Sequence, residues 1–138
     1  MKKITITTVI IIIIAGIGYW FYHYHWQSKE NLILFEKQEN WGPCPSNNIC
    51  NQTTKLYYSG ELVLEGEKNI KKELNKGTME KIKDRIRLTG IMNKDCFITA
   101  PVPDYSATYI FDLDGEIKNM RFPNCEQELK EIEELMKT

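Results

Sequence analysis

The sequence predicts an α+β fold: an N-terminal transmembrane helix, then a small antiparallel sheet with helices packed on one face, in the order ββα-ββα. Three observations lead there. No Asp, Glu, Lys or Arg interrupts the chain between Lys3 and Lys29, whereas the remainder is rich in charge. All four cysteines fall beyond that apolar stretch. Two strand-turn-strand patterns, each followed by an amphipathic run, recur 55 positions apart, as Leu56-Tyr57-Tyr58-Ser59-Gly60-Glu61-Leu62 and Phe111-Asp112-Leu113-Asp114-Gly115-Glu116-Ile117.

The apolar stretch comes first. Ile4 to Tyr22 is 19 residues long, and as a helix it would span roughly 28 Å, close to the hydrocarbon thickness of a bilayer. The β-branched run Val9 to Ile14 is a weak helix former in water, but in lipid the backbone must bond internally, which favours helix. Aromatic residues from Tyr19 to Trp26 mark an interfacial belt, and Lys2 and Lys3 before the span place the N-terminus in the cytoplasm and the remainder outside. A cleaved signal peptide ending near Gly16-Ile17-Gly18 is the competing reading, and it leaves the domain in the same compartment. His23 and His25, two apart in the belt, point to different faces of a helix and are read as interface residues, not metal ligands.

These boundaries divide the chain into residues 1–26, the membrane anchor; 27–40, a stem or first strand; and 41–138, a disulfide-stapled extracytoplasmic domain. With 138 residues, Lys+Arg 18 against Asp+Glu 19 and a net charge of −1, one ordinary domain fits beside the anchor. A pI of about 6.1 without a basic block excludes the electrostatic footprint of a nucleic-acid binder.

Cys44, Cys50, Cys96 and Cys125 are an even set in a compartment where disulfides persist. Four cysteines allow three pairings; the turn-rich Cys44-Pro45-Ser46-Asn47-Asn48-Ile49-Cys50 favours local closure, leaving Cys96 with Cys125. The absence of Cys-x-x-Cys and of histidine in the outer domain argues against a zinc site and against a conventional thiol oxidoreductase.

Within that domain, Leu32 to Phe35 is a short apolar insert of undecided type, and Trp41 to Pro45 is a proline-bound loop. Thr54 to Tyr58 and Glu61 to Glu65 flank Ser59-Gly60 as a hairpin. Glu67 to Gly77 is charged, and Thr78 is the expected N-cap of a helix over Met79 to Thr89 with Met79, Ile82 and Ile86 on one stripe and Gly90 beyond its end. Thr108 to Leu113 and Glu116 to Phe122 flank Asp114-Gly115, a strong hairpin signal. Asn124 with Gln127 resembles a capping box for a last helix with Leu129, Ile132, Leu135 and Met136 inward.

Few residues advertise chemistry. Asp112 to Ile117 resembles the middle of a calcium loop, but with Gly115 in sixth place the outer ligands would be Ile110 and Arg121, so a hairpin is preferred. Glu126, Glu128, Glu131, Glu133 and Glu134 read as a solvated helix face. No catalytic residue, metal site or cofactor is predicted. The proline-stiffened segment with Pro101, Pro103, Asp104 and Tyr105 is the candidate binding loop.

Gly42-Pro43-Cys44-Pro45, followed by Leu56-Tyr57-Tyr58-Ser59-Gly60 and Leu64-Glu65-Gly66, resembles a group of bacterial envelope proteins with a Gly-x-Cys-Pro loop, a hairpin and a helix. The resemblance spans about residues 41–112, and Cys50 departs from its simplest form. It implies a small α+β domain on an N-terminal anchor and brings no established activity. The expected function is a single-pass, membrane-anchored binding or assembly module of the cell envelope, with the lipid bilayer (through residues 4–22) and an envelope protein as partners. The alternative is an envelope enzyme, thiol-redox or other, using Cys44 and Cys50.

Overall fold

The computed structural model describes residues 12–20, 22, 31–44, 50–66, 69–96 and 104–137. The chain forms two units, Met1–Leu32 and Ile33–Thr138. In the first, residues 12–20 are helical (α1). Among the described residues no helix is long and apolar enough to cross a membrane, which corrects the predicted span over residues 4–22. Residues 4–11 of that expected span, His23, His25 and most of the aromatic belt lie outside the described residues.

The second unit runs β1 (Ile33–Trp41), β2 (Asn51–Tyr57), β3 (Glu61–Glu65), β4 (Ile70–Glu73), α2 (Lys76–Thr89), β5 (Tyr105–Leu113), β6 (Glu116–Arg121) and α3 (Glu126–Lys137). Six strands form one sheet in the order β4-β3-β2-β1-β5-β6, every neighbouring pair antiparallel. The expected ββα-ββα order is therefore corrected to ββββα-ββα. Two segments account for the difference. β1 extends the Leu32 to Phe35 insert through Trp41 and takes the centre of the sheet. β4, Ile70-Lys71-Lys72-Glu73, is exposed along its whole length and has no apolar alternation to betray it. Its lysines also suit an edge strand, where charge discourages pairing with another chain.

Strand alternation places Phe35, Lys37 and Glu39 on one face of β1, beside Leu56 and Thr54 of β2 and Phe111 and Tyr109 of β5 in register. α2 and α3 complete the core with Met79, Ile82 and Ile86 from one helix and Leu129, Ile132 and Met136 from the other. Phe35 and Phe111, 1% and 0% exposed, meet edge-on with ring centroids 5.2 Å apart, an arrangement that matches ring edge to ring face.

Helix boundaries differ from expectation by a few residues, each for a local reason. Asn75, in extended conformation, caps α2 by accepting a hydrogen bond from the Thr78 amide at 2.9 Å, so the helix begins a turn before the predicted Thr78 cap. Gly90 ends it in left-handed conformation at φ 65°. For α3 the predicted capping box at Asn124 is replaced by Cys125, whose carbonyl accepts from the Leu129 amide at 3.0 Å. Gly60 in the β2–β3 turn has φ +98°, and a Cβ there would lie 2.7 Å from the Leu74 carbonyl oxygen, so only glycine fits. The two hairpins are tied together by the Tyr58 hydroxyl, which donates to the Asp112 carbonyl at 2.8 Å and accepts from the Asp114 amide at 3.0 Å.

The cysteines pair as Cys44 with Cys50 and Cys96 with Cys125, at Cα separations of 5.7 and 5.4 Å, well inside the range a disulfide requires. Their sequence separations are 6 and 29. Because the larger closed loop removes more entropy from the unfolded chain, replacing Cys96 and Cys125 by Ser is expected to cost about 3 to 4 kcal/mol and replacing Cys44 and Cys50 about 2 kcal/mol. Urea denaturation of the two double variants checks that ordering.

Candidate functional site

The helix-covered face of β1 carries an unusual element, a lysine where the alternation calls for an apolar side chain. Lys37 is 9% exposed. An ammonium taken out of water must be paired, and its pairing is complete on two sides. Its Nζ lies 2.8 Å from Glu39 Oε1, two residues along the same strand, and 3.0 Å from Glu133 Oε1 on α3. The same Nζ stands 5.4 Å from the centroid of the Tyr109 ring, within reach of a cation–π attraction.

Two phenols complete the arrangement. Tyr109 Oη donates to Glu133 Oε1 at 2.8 Å, and Tyr105 Oη donates to Glu39 Oε1 at 2.7 Å. The register explains the convergence: Tyr109 faces Lys37 across the β1–β5 ladder, Tyr105 faces Trp41, and the small Ala107 between them faces Glu39. Burial, followed by the hydrogen bond and negative charge of Glu133, pushes the Tyr109 phenol far above its ordinary value. Tyr105 moves the same way, through burial and then Glu39. Both phenols are held neutral as donors. Both carboxylates make these bonds through Oε1.

This network floors a groove of about 300 Å³ lined by Phe35, Lys37, Glu39, Thr54, Leu64 and Glu133, with Met136 and Lys137 of the last turn of α3 at its rim. Apolar walls with a few convergent polar groups are the usual make-up of a binding site. No group of three or more His, Cys, Asp or Glu side chains capable of holding a metal ion is found among the described residues. A lysine side chain paired with two carboxylates and faced by the Tyr109 ring is already engaged on three sides, so the arrangement favours recognition over nucleophilic attack.

The residues singled out from sequence fall elsewhere or take other roles. Pro101 and Pro103 of the candidate binding loop lie outside the described residues. Asp104 is exposed, with its carbonyl accepting from the Gly42 amide at 2.9 Å. Tyr105 belongs to β5, not to a loop, and joins the groove network through Glu39. Asp114 and Gly115 form the hairpin turn, both at positive φ. The acidic face of α3 is not simply solvated: Glu133 reaches Lys37, Glu131 reaches Arg85 at 3.0 Å, and Glu128 pairs with Lys94, whose hydrogen bond lowers the Glu128 carboxyl below its ordinary value.

Sequence reasoning missed Lys37, Glu39 and Tyr109 and read Glu133 as part of a solvated face, yet a signal was present. Leu129, Ile132, Glu133 and Met136 occupy positions i, i+3, i+4 and i+7 of α3, and a carboxylate on that inward stripe demands a buried cation.

Comparison with protein-family models and with curated proteins gives no match, so the site rests on its own geometry.

Lys37→Met is expected to lower stability by about 2 to 4 kcal/mol, less than for a fully enclosed pair because Glu133 keeps some solvent. Adding Glu39→Gln and Glu133→Gln should recover part of that loss, measured by urea denaturation. A second expectation concerns pH. Unfolding returns Tyr105 and Tyr109 to ordinary phenols at 10.0, so the stability they contribute is complete below pH 10 and is lost as pH rises toward their raised native values. Phenolate absorbance should show two tyrosines that ionise only together with alkaline unfolding.

Proposed function

We propose that this protein is a disulfide-stapled binding or assembly module of the cell envelope, working outside the cytoplasm through the groove beside α3. The observation that carries the reading is the groove itself: an apolar-walled concavity floored by two carboxylates and the buried lysine that pairs with both. Holding such a network costs desolvation without evident benefit to the core, and a binding role accounts for it. The location is supported by the two disulfides, which persist in oxidising surroundings and are reduced in a mesophile cytosol.

Two measurements test this reading. Protein acid-quenched in its native cells and treated with a mass-tagged maleimide should show no reactive thiols before reduction and four afterwards. A photo-crosslinking amino acid at Thr54, in the groove, should form an adduct in the same cells, whereas one at Ser106, on the opposite face of the sheet, should not. Free thiols in the native population, adducts at both positions or at neither, or a mixed disulfide trapped by Cys50→Ser would each overturn it, the last in favour of thiol redox chemistry at Cys44 and Cys50.

A further inference from the structure

We propose that α3 is a hinged cover of the groove, pinned at its N-terminus by the Cys96–Cys125 bridge and able to lift its C-terminal half from the sheet while the rest of the core stays folded. The use of that motion, a wider groove, rests on the binding role proposed above, whereas the motion itself does not. Three observations along the one helix support it.

The first is the pin. Cys125 immediately precedes α3 and is bonded to Cys96, and its carbonyl accepts from the Leu129 amide at 3.0 Å. Glu128 pairs with Lys94 of the segment that carries Cys96, and Leu129 is buried. This half of α3 is therefore held by a covalent bond, an ion pair and packing together. No cysteine follows Cys125, so the C-terminal half has no covalent tie. Its ion pair with α2, Arg85 to Glu131, is exposed and of a class that contributes little.

The second is the floor. A helix lying wholly on apolar surface recovers nothing when it is lifted, because only apolar area meets water. Glu133 instead rests on Lys37 and on the Tyr109 hydroxyl, at 3.0 and 2.8 Å. On lifting, all three regain water, which offsets part of the cost of exposing Ile132 and Met136. Glu39 decides what is left behind. It lies on the same strand as Lys37, 2.8 Å from its Nζ, and accepts from the Tyr105 hydroxyl. The ammonium thus keeps a carboxylate partner in the lifted position, and neither position strands a buried charge. An element with two such positions needs only a small free-energy difference between them to populate both.

The third is the groove, which already runs beside the unpinned end at Glu133, Met136 and Lys137 and faces Leu62 and Leu64 of β3. Lifting that end opens it over Phe35, which is 1% exposed while α3 is down.

Thiol labelling of the full chain in neutral detergent tests the motion. Single variants Ile132→Cys, Leu129→Cys and Ile82→Cys place a thiol at three sites that are equally buried, and mass mapping assigns the labelled position. The unfolding equilibrium of each variant, from urea denaturation, sets the rate at which global unfolding alone would expose its thiol. Position 132 should label about tenfold or more above that limit, with little dependence on low urea, while 129 and 82 label at the limit. Adding Cys96→Ser and Cys125→Ser should bring position 129 up to the rate of 132, because the pin is gone. Adding Lys37→Met, Glu39→Gln, Tyr109→Phe and Glu133→Leu, which make the floor apolar, should bring 132 down to its global limit. Labelling of 132 at its global limit in the otherwise native chain overturns the proposal, and so does labelling of 129 as fast as 132 with the bridge intact. Both outcomes are read with the network in place, so they decide the matter even where the apolar replacement does not fold. Fast labelling of 132 that persists over a folded apolar floor overturns the part assigned to the network. The adduct at Thr54 in cells reports the binding role separately, so each can fail without the other.

Discussion

Lys37 is buried in the central strand of the sheet, and an ammonium removed from water is tolerable only if its partners are already in place. Those partners come from three elements: Glu39 from the same strand, Glu133 from α3, and the face of Tyr109 from β5. The requirement therefore fixes more than one contact. It sets which face of β1 meets the helices, the rotation of α3 about its axis, and the register of β1 against β5. A slip of one residue in that register would turn Lys37 to the other face and leave Glu133 facing an apolar floor.

Around this point the rest of the second unit is conventional. Phe35 and Phe111 pack beside the network, and Ile82, Ile86 and Ile132 close the core above the sheet with no exposure at all. The disulfides act at the periphery. Cys96 with Cys125 joins the segment after α2 to the start of α3, while Cys44 with Cys50 closes the connection between β1 and β2. The long-range bridge constrains the helix that carries Glu133, so covalent and electrostatic restraints converge on the same element.

A polar network that serves only stability is hard to justify energetically, because well-packed apolar residues of the same volume generally do as well or better. Here the two glutamates of the network also line a groove with apolar walls. The same desolvation that makes Lys37 costly holds the carboxylates in fixed orientation and keeps the adjoining phenols neutral. Rigid polar groups beside apolar walls are what selective recognition requires.

The strongly periodic or turn-coded parts of the chain were legible without coordinates. Ser59-Gly60 and Asp114-Gly115 mark their hairpins because positive φ at those turns admits few residues, and the Met79, Ile82, Ile86 and Leu129, Ile132, Met136 stripes mark the helices because an apolar face must be buried. β4 was not legible as a strand, and β1 was legible only as one of two alternatives for residues 27–40. β1 mixes charged and apolar residues on its inward face, and the exposed β4 follows its neighbour through backbone bonds without any side-chain pattern. The spanning helix expected from apolar content alone was likewise not matched among the described residues. The site shows the division most sharply. Glu133 on an inward helical stripe announces that a buried cation must exist, since local sequence records what a side chain requires. Only the tertiary structure decided that the cation is Lys37, nearly a hundred positions away, because pairing between distant strands and helices depends on how the sheet is ordered, and that order is a property of the whole packed chain.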